Sequence, residues 1–231
     1  MKALVLAAGK GVRMMPLTID KPKVLIQVSG KPFLSYVLEN LKKAGFSESD
    51  IFIVVSHHKE QIIKWLDEKG INANIIDQGK PQGTGHAVLQ AERWIKENFV
   101  VVMGDNLYSA ADMEHMAVED ELFYVGALES THPKDYGVVE TKAGKLVKIE
   151  EKPANPKSSL VNTGLYKMTP EIFSVLKKLQ RSPRGEYELT DAINILAAEG
   201  KVRAVKLHDY WIDMSSVEQL PKIEKQIKSL F

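Results

Sequence analysis

The sequence contains no cysteine among its 231 residues. The absence excludes a disulfide framework, a thiolate zinc site and a cysteine nucleophile. It is also consistent with a cytoplasmic protein, which is the location we expect.

Long apolar runs and an excess of one charge are missing as well. No apolar run reaches the roughly 18 residues of a transmembrane helix, and the regions of a signal peptide do not occur in the right order. The formal net charge is +1, so we expect neither a nucleic acid nor a membrane as a partner. There is no low-complexity tract or repeat period, which excludes a solenoid.

Apolar strands alternate with amphipathic helices through the first half of the chain. Predicted strands cover Lys2–Leu6, Ile51–Val55, residues 71–76 and Phe99–Met103. Predicted helices run from Pro32 to Gly45, around residues 62–66 to Gly70, and over residues 87–95. A repeated βαβ pattern of this kind predicts a largely parallel sheet with helices on both faces.

The second half of the chain is more mixed. Predicted strands cover residues 122–128, 136–140, 146–150, 161–167 and 202–207. Predicted helices cover residues 170–179, 190–198 and the C-terminal stretch from 217, where Pro221 is expected to cause a kink or a restart. No linker separates the halves, so we predict one α/β domain over residues 1–231. Its Rossmann-like, mixed and mostly parallel sheet carries helices on both faces, and residues 1–110 form the nucleotide-facing half.

The first strand leads into a glycine-rich, cationic loop. Gly9 and Gly11 remove side chains where the backbone turns and approaches a ligand, and Lys10, Arg13 and Lys23 follow closely. Backbone N–H groups and cations together are what polyphosphate binding requires. The alternative is a surface turn that happens to be rich in glycine, and the continuation through Arg13 and Lys23 argues against it.

Two better-known phosphate-binding patterns do not fit this loop. A Walker A motif does not follow the first strand, and the dinucleotide fingerprint would require a helix directly after the glycines. Pro16 and Pro22 come instead, so the loop is predicted to continue until Pro32. A loop of this length in a compact domain is usually functional.

A second group of candidate residues follows the third predicted strand. The amide of Gln78 both donates and accepts, so it can recognise the edge of a nucleobase. Gly83 and Gly85 allow the backbone to approach a planar ring, and Thr84 lies between them. The alternative is that Thr84 is only the N-cap of the next helix.

Two aspartates are candidate metal ligands. Asp105 follows a buried strand, and Mg²⁺ needs only one or two protein carboxylates. Asp213 follows the apolar residues Trp211 and Ile212 and offers a second carboxylate. The alternatives are an Asx turn at Asp105 and a helix cap at Asp213.

Polar residues near two later strands are candidates for a second substrate. Lys152 could pair with a phosphate, whereas Glu150 and Asn162 could bind the hydroxyl groups of a sugar. The alternative for Glu150 and Lys152 is a charged turn before Pro153. His57 and His58 are interpreted as structural, because adjacent histidines in a strand point to opposite faces.

Taken together, these motifs resemble those of the sugar-1-phosphate nucleotidyltransferases. That family includes glucose-1-phosphate thymidylyl- and uridylyltransferases and N-acetylglucosamine-1-phosphate uridylyltransferase. The resemblance rests on Leu6-Ala7-Ala8-Gly9-x-Gly11-x-Arg13, Pro22-Lys23, Gln78, residues 82–86, Asp105, Tyr136-Gly137, residues 150–153, residues 162–164 and residues 211–213. Val12 stands where the family usually has Thr, and no C-terminal β-helix follows, so no acyltransferase activity is expected.

The resemblance implies the nucleotide-diphospho-sugar transferase fold and an in-line attack of a sugar 1-phosphate on the α-phosphorus of an NTP, with release of pyrophosphate. The NTP is expected to be UTP or dTTP, and the sugar phosphate glucose 1-phosphate or N-acetylglucosamine 1-phosphate, bound by residues 111–231. Self-association into a homo-oligomer stays open. The implied residue sets are catalytic Arg13 and Lys23; nucleotide-binding Leu6, Ala7, Ala8, Gly9, Gly11, Gln78, Gly83 and Thr84; sugar-phosphate-binding Gly137, Glu150, Lys152 and Asn162; and Mg²⁺-binding Asp105 and Asp213.

Three other functions remain as alternatives. One is a cytidylyltransferase that acts on phosphocholine or another phosphorylated acceptor. The second is a non-catalytic nucleotide-sugar sensor, which would have no need for two metal carboxylates. The third is an interaction-only protein, which would leave the polar residues at the strand ends unexplained.

Overall fold

The computed structural model describes all residues from Met1 to Phe231. Its strands are β1 (Lys2–Leu6), β2 (Gln27–Val28), β3 (Lys31–Pro32), β4 (Ile51–Val55), β5 (Asn74–Asp77), β6 (Phe99–Met103), β7 (Asn106–Tyr108), β8 (Phe123–Glu129), β9 (Gly137–Lys142), β10 (Lys145–Glu151), β11 (Leu160–Met168), β12 (Val202–Lys206) and β13 (Trp211–Asp213). Its α-helices are α1 (Phe33–Lys43), α2 (Lys59–Lys69), α3 (Thr84–Leu89), α4 (Ala110–Met116), α5 (Glu171–Leu176), α6 (Leu189–Ala198) and α7 (Leu220–Leu230). None of these helices combines the length and the apolarity needed to cross a membrane.

Nine strands form one sheet in the order β5-β4-β1-β6-β11-β8-β12-β10-β9. The pairs among β5, β4, β1 and β6 are all parallel, as is the pair of β8 and β12. β11 runs antiparallel to β6 and β8, and β10 runs antiparallel to β12 and β9. The predicted fold class, a mixed and mostly parallel sheet with helices on both faces, is confirmed.

Each face of the sheet has its own apolar core. Along β1, Ala3 and Val5 pack into one core with α1, α2, α4 and α7, whereas Leu4 and Leu6 pack into the other with α3, α5 and α6. Both faces of the strand are therefore covered. This explains why its sequence is apolar throughout rather than alternating.

Several element boundaries differ from the prediction, most of them by one to three residues. β5 begins at Asn74 because Ile71 takes part in the C-terminal cap of α2. Gly70 has a left-handed conformation there, and the N–H of Ile71 donates to the Leu66 carbonyl at 3.0 Å. α3 ends at Leu89, and the predicted continuation to Ile95 is formed by turns. Pro221 lies in the first turn of α7, where its missing N–H needs no partner, so it causes no kink.

Two short strand pairs and one helix were not predicted. β2 and β3 pair within the stretch that was expected to be loop until Pro32, and β7 pairs with β13 outside the main sheet. α4 follows β7 directly. In the β7–β13 pair, Asp213 lies opposite Asn106, which brings the late candidate aspartate beside the end of β6.

A fully buried lysine anchors the chain where it enters β8. Lys167 donates to the Asp120 carbonyl at 2.5 Å, to the Asp120 carboxylate at 2.9 Å and to the Leu122 carbonyl at 2.8 Å. The Tyr124 hydroxyl donates to the same carboxylate at 2.5 Å. The anchor lies at the end of the sheet where β6 begins, since Asn98 also donates to the Asp120 carbonyl at 2.8 Å.

We predict that Asp120→Asn lowers the free energy of unfolding by about 1–3 kcal/mol, because an amide nitrogen would face a buried donor. Urea denaturation followed by circular dichroism measures the change. Glu129→Gln is the control, because it removes the carboxylate of an exposed pair with Lys206 at 2.7 Å. Equal midpoints for the two variants would contradict the anchoring role.

Candidate active site

Two cavities meet at the carboxyl ends of β1 and β6 and form one cleft. Their volumes are about 420 and 540 Å³. Both are lined by Thr84, Met103 and Asp105, so the two spaces are continuous. The carboxyl edge of a parallel sheet is where ligands bind in α/β proteins.

All predicted nucleotide-binding residues line the first cavity. They are Leu6, Ala7, Ala8, Gly9, Gly11, Gln78, Gly83 and Thr84. Of the other predicted residues, Lys23 lines this cavity, Arg13 and Asp213 line the second, and Asp105 lines both. The structure therefore brings the early and late motifs of the sequence to one place.

The opening loop folds tightly around Gly11. Its φ is +64°, and a Cβ there would lie 2.9 Å from Thr18 Cγ2 and 3.1 Å from Lys23 Cβ. The Thr18 hydroxyl donates to the Gly11 carbonyl at 2.8 Å. Gly11 is therefore required by the packing of Lys23 against the loop, whereas a Cβ at Gly9 would meet nothing within 4 Å.

Lys23 and Asp105 form an ion pair where the two cavities meet. Lys23 Nζ lies 2.5 Å from Asp105 Oδ2, and the lysine is only 8% exposed. The other carboxylate oxygen accepts a hydrogen bond from Asn106 Nδ2 at 2.9 Å. Because an ammonium has three N–H groups, two remain for an anionic ligand.

Asp213 is held near the same point by the β7–β13 pair. The N–H of Met214 donates to the Asp105 carbonyl at 3.0 Å. Burial raises the pKa of Asp213, and the neighbouring Asp105 carboxylate raises it further, against an opposing effect of Lys23. Because the Asp105 carboxylate disfavours the charged form of Asp213, a cation bound beside them would stabilise that form.

The donor set fits Mg²⁺. Asp105 and Asp213, the two carboxylates that the sequence suggests as ligands, both line the second cavity, and the protein has no group of three or more carboxylate, histidine or cysteine ligands. Mg²⁺ prefers oxygen ligands and is usually held by one or two carboxylates together with water and substrate phosphates.

Gln78 is more restricted than the sequence indicates. Its Nε2 atom donates to the Gly83 carbonyl at 3.2 Å and contacts His86 Nδ1 at 3.0 Å, so both amide hydrogens have protein partners. The side chain is nearly buried. Only the carbonyl oxygen remains for a ligand in this arrangement, so the prediction that Gln78 recognises a nucleobase now rests on that oxygen.

Gly83 lies under a later loop. Its φ is +107°, and a Cβ there would lie 2.6 Å from the Tyr187 carbonyl oxygen. Thr84 does not cap its own helix, because the N-cap of α3 is Gly83. The Thr84 hydroxyl instead accepts a hydrogen bond from the N–H of Leu189 at 3.1 Å, at the start of α6.

Glu150 does not line the cleft, although the sequence points to it. Side chains alternate along β10, so Glu150 lies on the same face as Lys148, which donates to its carboxylate at 3.2 Å. Glu151 lines the second cavity instead, next to Gly137. Partial burial between the walls of the cleft raises the pKa of Glu151. Its side chain nevertheless remains open to the water in the cleft.

The other three predicted sugar-phosphate residues line the second cavity: Gly137, Lys152 and Asn162. Lys152 has a left-handed φ of 45°, which is uncommon for a lysine, and its N–H donates to the Tyr136 carbonyl at 3.0 Å. Asn162 donates to the Tyr166 hydroxyl at 2.6 Å and accepts from the N–H of Gly164 at 3.1 Å. The backbone of this region is thus held in a defined shape.

The loop before α6 contributes residues that the sequence analysis missed. Glu186 lines the first cavity, and Arg184 and Glu188 line the second. Arg184 pairs with Glu188 at 3.0 Å, and Glu188 is nearly buried. The only available signal was a turn with Pro183 and Gly185 before an amphipathic helix. A turn of this kind does not show that the loop reaches Gly83 and Thr84 in the first cavity.

His57 and His58 lie in a turn after β4 rather than in a strand. Their rings are 3.8 Å apart, so they do not point to opposite faces as expected. His58 has a left-handed φ of 54°, and its Nε2 contacts the Ile19 carbonyl at 3.1 Å. The pair therefore supports the opening loop from outside the cleft.

Comparison with solved structures shows close matches over the whole chain. A Bacillus anthracis protein described as a glucose-1-phosphate thymidylyltransferase, solved in complex with a sucrose, superposes with a TM-score of 0.86 at 27% identity and covers 98% of this chain and 94% of its own. A UDP-glucose pyrophosphorylase solved with UDP-glucose superposes with a TM-score of 0.86 at 24% identity, covering 100% and 99%. The second likeness supports the fold alone.

Curated sequences give closer relatives. The bifunctional protein GlmU of Methanocaldococcus jannaschii is 36% identical over 215 residues, which are 93% of this chain and 51% of that protein. The chain thus spans about half the length of GlmU. The UTP–glucose-1-phosphate uridylyltransferase AglF of Haloferax volcanii is 35% identical over 237 residues, covering 99% of this chain and 97% of that protein. The family model described as nucleotidyl transferase matches residues 2–229, and the chain belongs to that family.

Proposed function

We propose that the protein transfers a nucleotidyl group from UTP or dTTP to glucose 1-phosphate or N-acetylglucosamine 1-phosphate and releases pyrophosphate. The observation that carries the proposal is the continuous cleft, in which Lys23, Asp105 and Asp213 lie where its two cavities meet. Relatives along the full chain are described as sugar-1-phosphate uridylyl- and thymidylyltransferases, which supports the same reaction.

Each cavity matches one substrate. Apart from Glu186, the first is lined by residues 6–105, and we assign the NTP to it. The second is lined mainly by residues 134–219, and we assign the sugar phosphate to it. Residues 1–110 thus act as the nucleotide half of one domain and residues 111–231 as the sugar half.

Backbone and cations of the opening loop bind the triphosphate. Gly9 and Gly11 line the first cavity, where their N–H groups bind the phosphates, and Arg13, which lines the second, stabilises the pyrophosphate as it leaves. Lys23 neutralises the charge that develops around the α-phosphate, using the N–H groups that Asp105 does not occupy. Catalysis then comes from positioning and charge neutralisation, with no protein nucleophile.

Asp105 and Asp213 hold Mg²⁺. The ion supplies charge neutralisation at phosphate oxygens when it is bound. The Asp105 carboxylate also orients the neighbouring Lys23 and Asn106, because it accepts a hydrogen bond from each.

Gln78 recognises the base through its free carbonyl oxygen. The N3–H group of uracil or thymine can donate to this oxygen, and so can the N4 amino group of cytosine. The preference for UTP or dTTP over the cytidylyltransferase alternative is supported instead by the relatives along the full chain, which are described as uridylyl- and thymidylyltransferases.

Lys152 pairs with the sugar phosphate, and Gly137, Asn162 and Glu151 lie beside the sugar. Glu151 takes the role that the sequence assigned to Glu150. As a carboxylate it accepts hydrogen bonds from sugar hydroxyl groups, and this capacity falls when the group is protonated.

A matrix of nucleotides and sugar 1-phosphates tests the reaction itself. We expect pyrophosphate release with UTP or dTTP and a hexose 1-phosphate, and a clearly lower kcat/KM with CTP, because the relatives along the full chain are described as uridylyl- and thymidylyltransferases. Phosphocholine serves as the competing acceptor. If nucleotides bind but no combination of nucleotide and acceptor gives pyrophosphate, the protein is a sensor instead.

Lys23→Ala should lower kcat on the order of 10²–10³-fold, because it removes a cation beside the reacting phosphate. Lys21→Ala is the matched control, since Lys21 is exposed in the same loop and does not line either cavity. Steady-state kinetics separates the effect on kcat from the effect on KM. A rise in KM at constant kcat would show that Lys23 binds ground and transition states equally.

Glu151→Gln should raise the KM for the sugar 1-phosphate, whereas Glu150→Gln should leave it unchanged. The two residues are adjacent and chemically identical, but only Glu151 lines the cleft. Because the pKa of Glu151 is raised, its carboxylate is protonated at a higher pH than that of an ordinary glutamate. As the pH is lowered, the wild-type KM for the sugar 1-phosphate should therefore rise at a higher pH than the KM of the Glu151→Gln variant. Equal effects of both substitutions would refute the assignment.

A further inference from the structure

The β7–β13 pair carries Asp213, and Asp105 directly precedes β7. Three residue pairs and a hydrogen bond from Trp211 Nε1 to Asn106 Oδ1 at 2.6 Å hold the two strands together, and neither strand belongs to the nine-stranded sheet. The N–H of Met214 links β13 to the Asp105 carbonyl, and the segment that leads into β13 is fixed from behind as well.

A buried carboxylate on α4 fixes the segment that leads into β13. Asp112 is 4% exposed, and it accepts the N–H of His208 at 2.9 Å on Oδ1 and the N–H of Asp209 at 3.1 Å on Oδ2. The Ser109 hydroxyl also donates to Oδ2, at 2.9 Å. Three donors thus satisfy one carboxylate, which has no cation as a partner among its hydrogen bonds.

Other contacts join the same two segments. The N–H of Ser109 donates to the Tyr210 carbonyl at 3.2 Å. Asn40, which is almost completely buried, donates to the Tyr108 carbonyl at 2.8 Å and to the Tyr210 hydroxyl at 2.6 Å. Residues 208–210 are therefore tied to both β7 and α4 directly before β13 begins.

The carboxylate is required for this arrangement. Two consecutive backbone N–H groups need two acceptor atoms, which an aspartate provides and an asparagine does not. In Asp112→Asn, one N–H would face the amide group and lose its partner in a buried position. The resulting displacement would start four residues before Asp213.

We propose that Asp112 is a positioning residue for the metal site, which sets the separation of the Asp105 and Asp213 carboxylates through the 208–210 segment. The inference rests on the proposed role of these two aspartates. Supporting groups behind metal ligands typically change metal affinity by about 10–100-fold when they are replaced.

The test compares Asp112→Asn with Asp120→Asn. Asp120 also accepts from three donors, the Lys167 ammonium, the Tyr124 hydroxyl and the Leu122 N–H, but at the far end of the sheet. Electron paramagnetic resonance of free Mn²⁺ gives the metal dissociation constant of each protein without substrates, and Asp213→Asn serves as the positive control. Thermal unfolding without metal shows how far each substitution destabilises the fold.

We expect Asp112→Asn to raise the Mn²⁺ dissociation constant by about 10–100-fold, and Asp120→Asn to leave it unchanged at a similar loss of thermal stability. In pyrophosphate release, Asp112→Asn should need more Mg²⁺ for half-maximal rate and recover kcat when Mg²⁺ is saturating. If Asp112→Asn does not fold, Ser109→Ala takes its place, because it keeps the carboxylate and removes one of its three donors. This variant should show a smaller rise in the Mn²⁺ dissociation constant.

A wild-type Mn²⁺ dissociation constant in Asp112→Asn or, where that variant does not fold, in Ser109→Ala would overturn the inference. Equal weakening in Asp120→Asn would do the same, since it would show a general loosening of the fold. A wild-type protein that binds no Mn²⁺ would overturn it together with the metal site. Pyrophosphate release by the wild type tests the proposed reaction separately.

Discussion

The ion pair between Lys23 and Asp105 is the contact on which the arrangement of the cleft depends. It joins the opening loop to the end of β6, and it holds a nearly buried ammonium whose charge opposes the effect of the Asp105 carboxylate on the pKa of Asp213. Gly11 has no side chain because Lys23 must pack against it. The glycine pattern of the loop is thus explained by the packing of its cation as well as by the approach of a phosphate.

The two halves of the chain meet through backbone contacts that leave no room for a side chain. Gly83 lies under the Tyr187 backbone, and the Thr84 hydroxyl accepts a hydrogen bond at the start of α6. These contacts bring Glu186 from the later half into the first cavity. A nucleotide bound there would touch residues far apart in the chain, so both halves must be in place before the site is complete.

Much of the fold could be predicted because its central strands are buried on both faces. The limits of β1, β4 and β6 follow from continuous apolar runs between turn residues. The β7–β13 pair could not be predicted, since three-residue strands carry almost no periodicity. Within the site, the sequence pointed to Glu150 rather than to its neighbour Glu151, because the pairing of β10 with β12 and β9, and not its own residues, decides which of its side chains face the cleft.

The sequence by itself determined the fold class, the cationic opening loop and a majority of the residues that line the first cavity, because glycine, lysine and aspartate at strand ends are local signals. Only the tertiary structure decided which atoms of those residues remain free. The amide hydrogens of Gln78 are used by Gly83 and His86, and the Glu150 carboxylate by Lys148. Hydrogen bonds between distant segments also place Asp213 beside Asp105, and no local pattern encodes a distance between two carboxylates.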